Sequence, residues 1–234
     1  MTKTMNTKTR PKMTIAVPVH GMENGPLFLR RLFDSLWNQS FQDFEIVVTD
    51  NSDDDELEKV CDWYRTGIRY FKNPRKGMAQ NTNEAIKRST GEVIKILYMD
   101  DFMAHNRALE KVWDAFDGQW LVTGCTHTAR KDRAVQYWFD NHVPHYNDNI
   151  HLGENTIGSP SVLTILNEDP LLFDENMTWL LDCDLYKRCY EKYGEPKILK
   201  DINVVIGVGD HQMTHILSEN QKLSEHEYIT NKYE

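Results

Sequence analysis

The sequence is poor in several things, and each scarcity removes a class of protein. Four cysteines among 234 residues, Cys61, Cys125, Cys183 and Cys189, are too few for a disulfide scaffold and lack the Cys-x-x-Cys spacing of a zinc site. They read as reduced thiols packed in a core. No apolar run approaches the roughly 20 residues that a membrane-spanning helix needs. Met1–Lys12 is basic and Thr-rich but lacks the apolar stretch of a secretory signal, and is expected to be a disordered lead-in. Positive charge is also short. With 27 Lys+Arg against 36 Asp+Glu, the net charge of -9 argues against broad binding to nucleic acid or to anionic membrane.

What the chain does have is alternation. Thr14–His20 reads as a strand, and Leu27–Gln39 follows with Phe28, Leu29, Leu32, Phe33, Leu36 and Trp37 on one helical stripe. Phe44–Asp50 is a second strand, and Leu57, Val60, Cys61 and Tyr64 mark a second helix. Ile68–Lys72, Gly77–Ser89 and Glu92–Tyr98 continue as strand, helix and strand, then a helix around Leu109–Phe116 and a strand over Gln119–Cys125. This order predicts an α/β domain with a mostly parallel central sheet. Thr126–Gly158 is polar, aromatic and weakly periodic, and is expected to be a lid or binding loop, with Tyr137, Trp138, Phe139 and Tyr146 offering faces for an acceptor. Ser161–Leu166 reads as a strand, Thr178–Tyr193 as a helix, Ile198–Gly207 as a strand, and the polar Ser218–Glu234 as a loosely docked tail.

A parallel sheet binds ligands beyond the carboxyl ends of its strands, and here those ends carry Asp50, Asp100 and Asp101. Two adjacent carboxylates repel unless a cation or hydrogen-bond donors balance them. One carboxylate together with substrate phosphates is enough to hold Mg²⁺ or Mn²⁺.

The succession TIAVPVH, SLWNQSFQDFEIVVTDNSDDD and KNPRKGMAQNTNEAIKRSTGEVIKILYMDD resembles bacterial-type family 2 glycosyltransferases with the GT-A fold, a Rossmann-like three-layer α/β/α sandwich. The resemblance implies a metal-dependent hexosyltransferase of polysaccharide biosynthesis, acting in the cytoplasm and meeting any lipid-linked acceptor at the membrane periphery. Its partners would be a nucleoside-diphosphate sugar, a UDP-sugar foremost, and a glycan or other hydroxyl acceptor. Matched position by position, it places Pro18 and Val19 beside the base, Asp50 and Ser52 on the base, and Asn81 at the end of an Ala-Arg-Asn motif whose Arg is here Gln80. Lys76 or Arg75 would supply the missing cation. Asp101 would ligate Mn²⁺ or Mg²⁺ and Asp100 would hold the ribose or the metal's water. The usual earlier Asp of that motif is here Tyr98. His211, in the late segment Gly207–His215, would be a second metal ligand.

The resemblance also assigns Asp182, in WLLDCDLYKR, as the catalytic base. Helical spacing agrees, because Asp182 shares a face with Leu185 and Tyr186 and is partly desolvated there. Asp184, about 200° round the helix, is expected to face outward or sideways. The expected organisation is a lead-in over 1–12, one catalytic domain over 13–217 divided into a donor half (13–125) and an acceptor half (126–217), and a tail over 218–234. Two other readings stay open: a sugar-nucleotide or glycan-binding protein without turnover, and a nucleotidyltransferase of similar layout. The second expects a Gly-rich basic loop after the first strand, where this chain has His20-Gly21-Met22-Glu23-Asn24-Gly25.

Overall fold

Apolar runs that fall silent at polar turns become the strands of one sheet. A computed structural model describes residues 10–64, 67–132 and 135–234, with the side chains of 129–139 outside that description. The strands are β1 (Met13–Val19), β2 (Phe44–Asp50), β3 (Ile68–Lys72), β4 (Val93–Ile96), β5 (Phe102–Met103), β6 (Trp120–Asp132), β7 (Val135–His142), β8 (Leu163–Leu166) and β9 (Lys197–Val208). The helices are α1 (Gly25–Trp37), α2 (Glu56–Tyr64), α3 (Met78–Arg88), α4 (Ala108–Ala115), α5 (Leu181–Tyr193), α6 (Met213–Ile216) and α7 (Glu219–Tyr233).

The sheet order is β3-β2-β1-β4-β8-β6-β9-β5, with β7 added against β6. The first four strands in that order are parallel, as expected. Beyond β4 the sheet is mixed: β8 runs antiparallel to both β4 and β6, while β9 is parallel to β6. In register, Val19 lies opposite Asp50 and Asp50 opposite Lys72, so β1, β2 and β3 end at one level. β1 is buried along its whole length, as a strand flanked on both sides and covered by helices must be. α1 buries Phe28, Leu29, Leu32, Phe33 and Leu36, each contributing about 1.5–3 kcal/mol of burial. Trp37 lies at the rim, packed against Phe33 and Tyr64.

Three expectations change. The segment after Cys125 is not a long irregular loop, because β6 continues to Asp132 and β7 returns beside it, with a register shift at Thr126/His127. β-Branched and aromatic residues pair as strands without strict alternation when neighbours lie on both edges, and β6 has β7 and β8 on one edge and β9 on the other. The tail is helix α7, started by a Ser218–Gln221 capping box. The packed chain also begins earlier than Met13. Arg10 donates to the Thr90 and Gly91 carbonyls at 2.8 and 2.7 Å, while Met1–Thr9 lies outside the described residues.

All four cysteines are free and buried, as expected. Lys95 on β4 is fully buried, and its ammonium donates to the carbonyls of Ser161, Leu163 and Ile96. The turn entering β8 is thereby pinned beneath the carboxyl end of β4.

Candidate active site

A cavity of about 1040 Å³ opens where β1, β2 and β4 end. The entry to α5 and the segment after β9 complete its lining, with Asp182, His211 and Gln212. The two halves of the sequence therefore meet across one space.

On the donor side, Pro18, Ser52, Lys76 and Asn81 line the cavity. Val19 and Asp50 do not: both are fully buried behind it. Asp50 accepts from Ser52 N at 2.7 Å, Tyr70 Oη at 2.6 Å and Lys72 Nζ at 3.2 Å, and from the Ser52 hydroxyl. Burial pushes its carboxyl up, but those donors outweigh it and hold the group below the usual carboxylate range. The Asp50 carboxylate is committed to shaping the turn, and the turn presents Asn51, Ser52, Asp53 and Asp54 to the cavity instead.

Asn81 also has its polar atoms engaged. Its Nδ2 donates to the carbonyls of Val19 and Thr49 at 2.8 and 2.9 Å, and its Oδ1 accepts from Asn73 at 3.1 Å. It clamps the ends of β1 and β2 together. Of the two cations considered near the diphosphate, Lys76 lines the cavity and pairs with Asp53 at 2.6 Å. Arg75 turns to Glu175, whose backbone carbonyl also accepts from Gln80.

The acidic pair sits at the cavity floor. Asp101 is 2% exposed, accepts from Gly207 N at 2.8 Å and meets Ser159 Oγ at 3.4 Å. Burial, then the neighbouring Asp100 carboxylate, push the Asp101 carboxyl well above its usual range. Asp100 accepts from His211 Nε2 at 2.8 Å, which raises the imidazole's affinity for a proton. Arg31 stacks on Phe102 at 4.4 Å and donates to the Asp100 carbonyl, bringing a guanidinium behind the pair. His211 thus reaches the acidic pair through Asp100, not through Asp101.

Among the described residues no group of three or more His, Cys, Asp and Glu is gathered for a metal ion. The two carboxylates still fit a hard divalent cation whose other ligands are phosphate oxygens and water. The buried, like-charged Asp101 is a group that such a cation would stabilise.

Asp182 lines the cavity from the first turn of α5. Its Oδ1 accepts from Cys183 N at 2.8 Å and its Oδ2 from Asn155 Nδ2 at 2.8 Å. Desolvation, only partly offset by these donors, pushes its pKa up to about 6. Asp184 does not face outward. It is fully buried, paired with Arg188 at 2.6 Å and Lys232 at 2.6 Å, and accepts from Tyr233 Oη at 2.8 Å. Helix α7 covers the face that helical geometry alone would leave to solvent. In the former loop region, Tyr146 stacks on Tyr190 with ring centroids 3.7 Å apart, which makes it an anchor. The side chains of Tyr137, Trp138 and Phe139 lie outside the described residues.

Several lining residues escaped the sequence reading. His20 follows β1 directly beside Asp100 and His211, and burial lowers its pKa. Its position after a strand was the available signal. Asn155 and Ser159 come from a polar loop with no periodic signature. Gly207, next to last in β9 and behind the lining, holds the acidic pair at close range, since a Cβ there would lie 2.5 Å from the Asp100 carbonyl oxygen.

A family model described as Glycosyl transferase family 2 matches residues 14–172. An uncharacterized glycosyltransferase of Rickettsia bellii is 29% identical over 182 residues, covering 75% of this chain and 26% of that protein. The chain spans less than two thirds of the length of the curated relatives it matches first. S. aureus TarS 1-349 in complex with UDP-GlcNAc superposes with a TM-score of 0.69 at 19% identity, over 88% of this chain and 61% of that one. Mannosyltransferase PcManGT from Pyrobaculum calidifontis, in complex with GDP-Man and Mn2+, superposes at 0.61 and 16% identity, over 87% and 59%. These likenesses establish the GT-A fold. With the family model covering both the donor-side strands and the acidic pair, the chain belongs to glycosyl transferase family 2.

Proposed function

We propose that the chain transfers a hexosyl group from a nucleoside-diphosphate sugar, a UDP-sugar foremost, to an acceptor hydroxyl, with inversion and with Asp182 as general base. The observation that carries this is the placement of Asp182. A carboxylate pushed up to about 6 lines the same cavity as the acidic pair. A base with that pKa is ionised at neutral pH and still accepts a proton readily. Asp182 Oδ would take the acceptor proton as the hydroxyl oxygen attacks the anomeric carbon opposite the departing diphosphate.

On the donor wall, Pro18 and the Ser52 turn would flank the base, with Asp50 and Asn81 holding the strand ends that place them. Lys76 would face the diphosphate. Asp101, with Asp100 kept in place by His211, would hold Mn²⁺ or Mg²⁺. When bound, the cation neutralises charge developing on the leaving diphosphate. The solved relatives support both a nucleotide-sugar donor and a metal, since TarS is described with UDP-GlcNAc and PcManGT with GDP-Man and Mn2+. No helix among the described residues is long and apolar enough to cross a membrane. A cytoplasmic enzyme of polysaccharide or other glycan assembly, meeting a lipid-linked acceptor at the membrane surface, is consistent with that.

The test is thermal denaturation with UDP-, GDP-, dTDP- and CMP-sugars, each with Mn²⁺, with Mg²⁺ and with chelator. A ligand at a hundredfold excess over its Kd adds about 2.7 kcal/mol to folded-state stability. One nucleotide class should stabilise the protein only with metal, and Asp101→Ala should abolish the gain. Stabilisation that persists in chelator and in Asp101→Ala would refute the metal assignment.

A further inference from the structure

Helix α5 starts without a cap of its own. Its N-cap residue, Leu180, has no side-chain acceptor for the free amides that begin every helix. The amide of that N-cap residue and the two amides before it instead share an acceptor 45 positions on in the chain. Glu225 Oε1 accepts from the backbone N–H groups of Thr178, Trp179 and Leu180 at 2.9, 2.7 and 2.7 Å. The same stretch forms the acceptor-side wall of the cavity and leads directly into Asp182. Glu225 is not part of that wall, so it acts from behind.

We propose that Glu225 is a positioning residue for Asp182: its carboxylate gathers three backbone amides and fixes the turn that presents Asp182 to the cavity. This rests on the reading of Asp182 as the base. Three charge-assisted hydrogen bonds to one oxygen over-determine the turn, and a carboxylate at a helix start complements the helix dipole. One turn earlier on α7, Lys222 lies over the Trp179 ring at 5.8 Å, a second tie to the same segment. The helix that carries Glu225 is docked independently of it. Lys232 pairs with Asp174 at 2.7 Å and Asp184 at 2.6 Å, and Ile229 is fully buried. Removing the Glu225 carboxylate therefore loosens the turn and leaves α7 in place.

The test uses the full chain with Glu225→Gln and Glu225→Ala, following the Asp182 carboxyl by carbon NMR, with Asp182→Asn to assign its signal. Asp182 faces Tyr98 beyond β4 and Cys183 and Tyr186 of its own helix, all held neutral by pKa values pushed up by burial, and the uncharged Asn155. Freed amides would stabilise the Asp182 carboxylate, and a looser turn would admit water. Both effects lower its titration midpoint from about 6, by about half a pH unit or more in Glu225→Ala. Glu225→Gln, which keeps an acceptor oxygen of the same reach, should fall between. Amide exchange over 178–183 should accelerate about tenfold or more in Glu225→Ala, with the strand amides of β1 and β4 unchanged. An unmoved Asp182 midpoint, or exchange that accelerates equally throughout the protein, overturns the proposal. Transferase activity surviving in Asp182→Asn would instead sink the base assignment, so the two failures are separable.

Discussion

The contact between β9 and the acidic pair is testable with a single methyl group. In Gly207→Ala the added Cβ would meet the Asp100 carbonyl oxygen at 2.5 Å and its carbonyl carbon at 3.1 Å. Ordinary contact begins at 3.4 Å, so the two backbones must part by about 0.9 Å (3.4 − 2.5). Both obstructing atoms are main chain, and no side-chain rotation relieves them. The same movement stretches the 2.8 Å bond from Gly207 N to Asp101 Oδ1 beyond hydrogen-bonding range. Overpacking costs about 1–3 kcal/mol and a lost bond to a charged group about 1.5–3 kcal/mol. The two overlap, so about 3 kcal/mol is expected, a fall of roughly 6–12 °C in Tm for a chain of this size. Thermal denaturation measures it, and titration with a UDP-sugar and Mn²⁺ should show weaker binding in the same variant. Gly209→Ala is the control. Its Cβ would meet only the His211 ring, at 2.9 Å, which can turn aside, so a smaller loss of stability is expected. A Gly207→Ala protein with native Tm and native donor affinity would refute the claim that this approach sets the geometry of Asp101.

Further outcomes follow from two other acids. Transferase turnover should fall about tenfold per unit below pH 6 as Asp182 takes up a proton, and Asp182→Asn should lose 10²–10⁴-fold in kcat with little change in donor KM. Because the folded pKa of Asp182 is raised, its contribution to stability is full below the unfolded value and is lost as pH rises through about 6. Asp182→Asn should therefore be no less stable than the parent at pH 7, and a marked drop in Tm would show the carboxylate to be structural. Asp184→Asn should do the opposite, because it strips the buried partner of Arg188 and Lys232. About 3–5 kcal/mol of lost stability is expected, on the order of 10 °C in Tm, and a native melting curve would show that the Asp184 carboxylate does not hold α7 against α5.

The donor half was legible because its signals are local. β1, β2 and β4 are apolar runs followed by polar turns, and parallel topology alone puts Asp50, Asp100 and Asp101 at one edge. What sequence could not supply was how those side chains are spent. Asp50 and Asn81 sit at the right place, yet their polar atoms are consumed by Ser52, Tyr70, Lys72 and the ends of β1 and β2. The acceptor half was harder because its determinants are distant in sequence. The far end of β6, paired with β7, depends on β9 as its other neighbour, and the burial of Asp184 depends on a helix 35 or more residues later. Helical spacing set Asp182 on the face it shares with Leu185 and Tyr186, and that residue lines the cavity, but the same reading took the face of Asp184 to be open.

Three aspartates in this fold show how one side chain acquires different chemistry from its surroundings. Asp50 is fully buried, but donors from Ser52, Tyr70 and Lys72 favour its charge, and it behaves as a fixed structural anion. Asp101 is as deeply placed but has a carboxylate neighbour and weaker donors, so its charge is unfavourable until something positive arrives. Asp182 lies between these extremes. Desolvation raises it, while Cys183 N and Asn155 keep it from rising as far. In the proposed function that gradation would separate an anchor, a cation ligand and a proton acceptor, all three of them Asp. It also explains why Glu225 is set behind α5 and not beside Asp182: an additional carboxylate in the cavity would raise Asp182 further and leave it protonated at neutral pH, whereas one that binds only amides stiffens the turn.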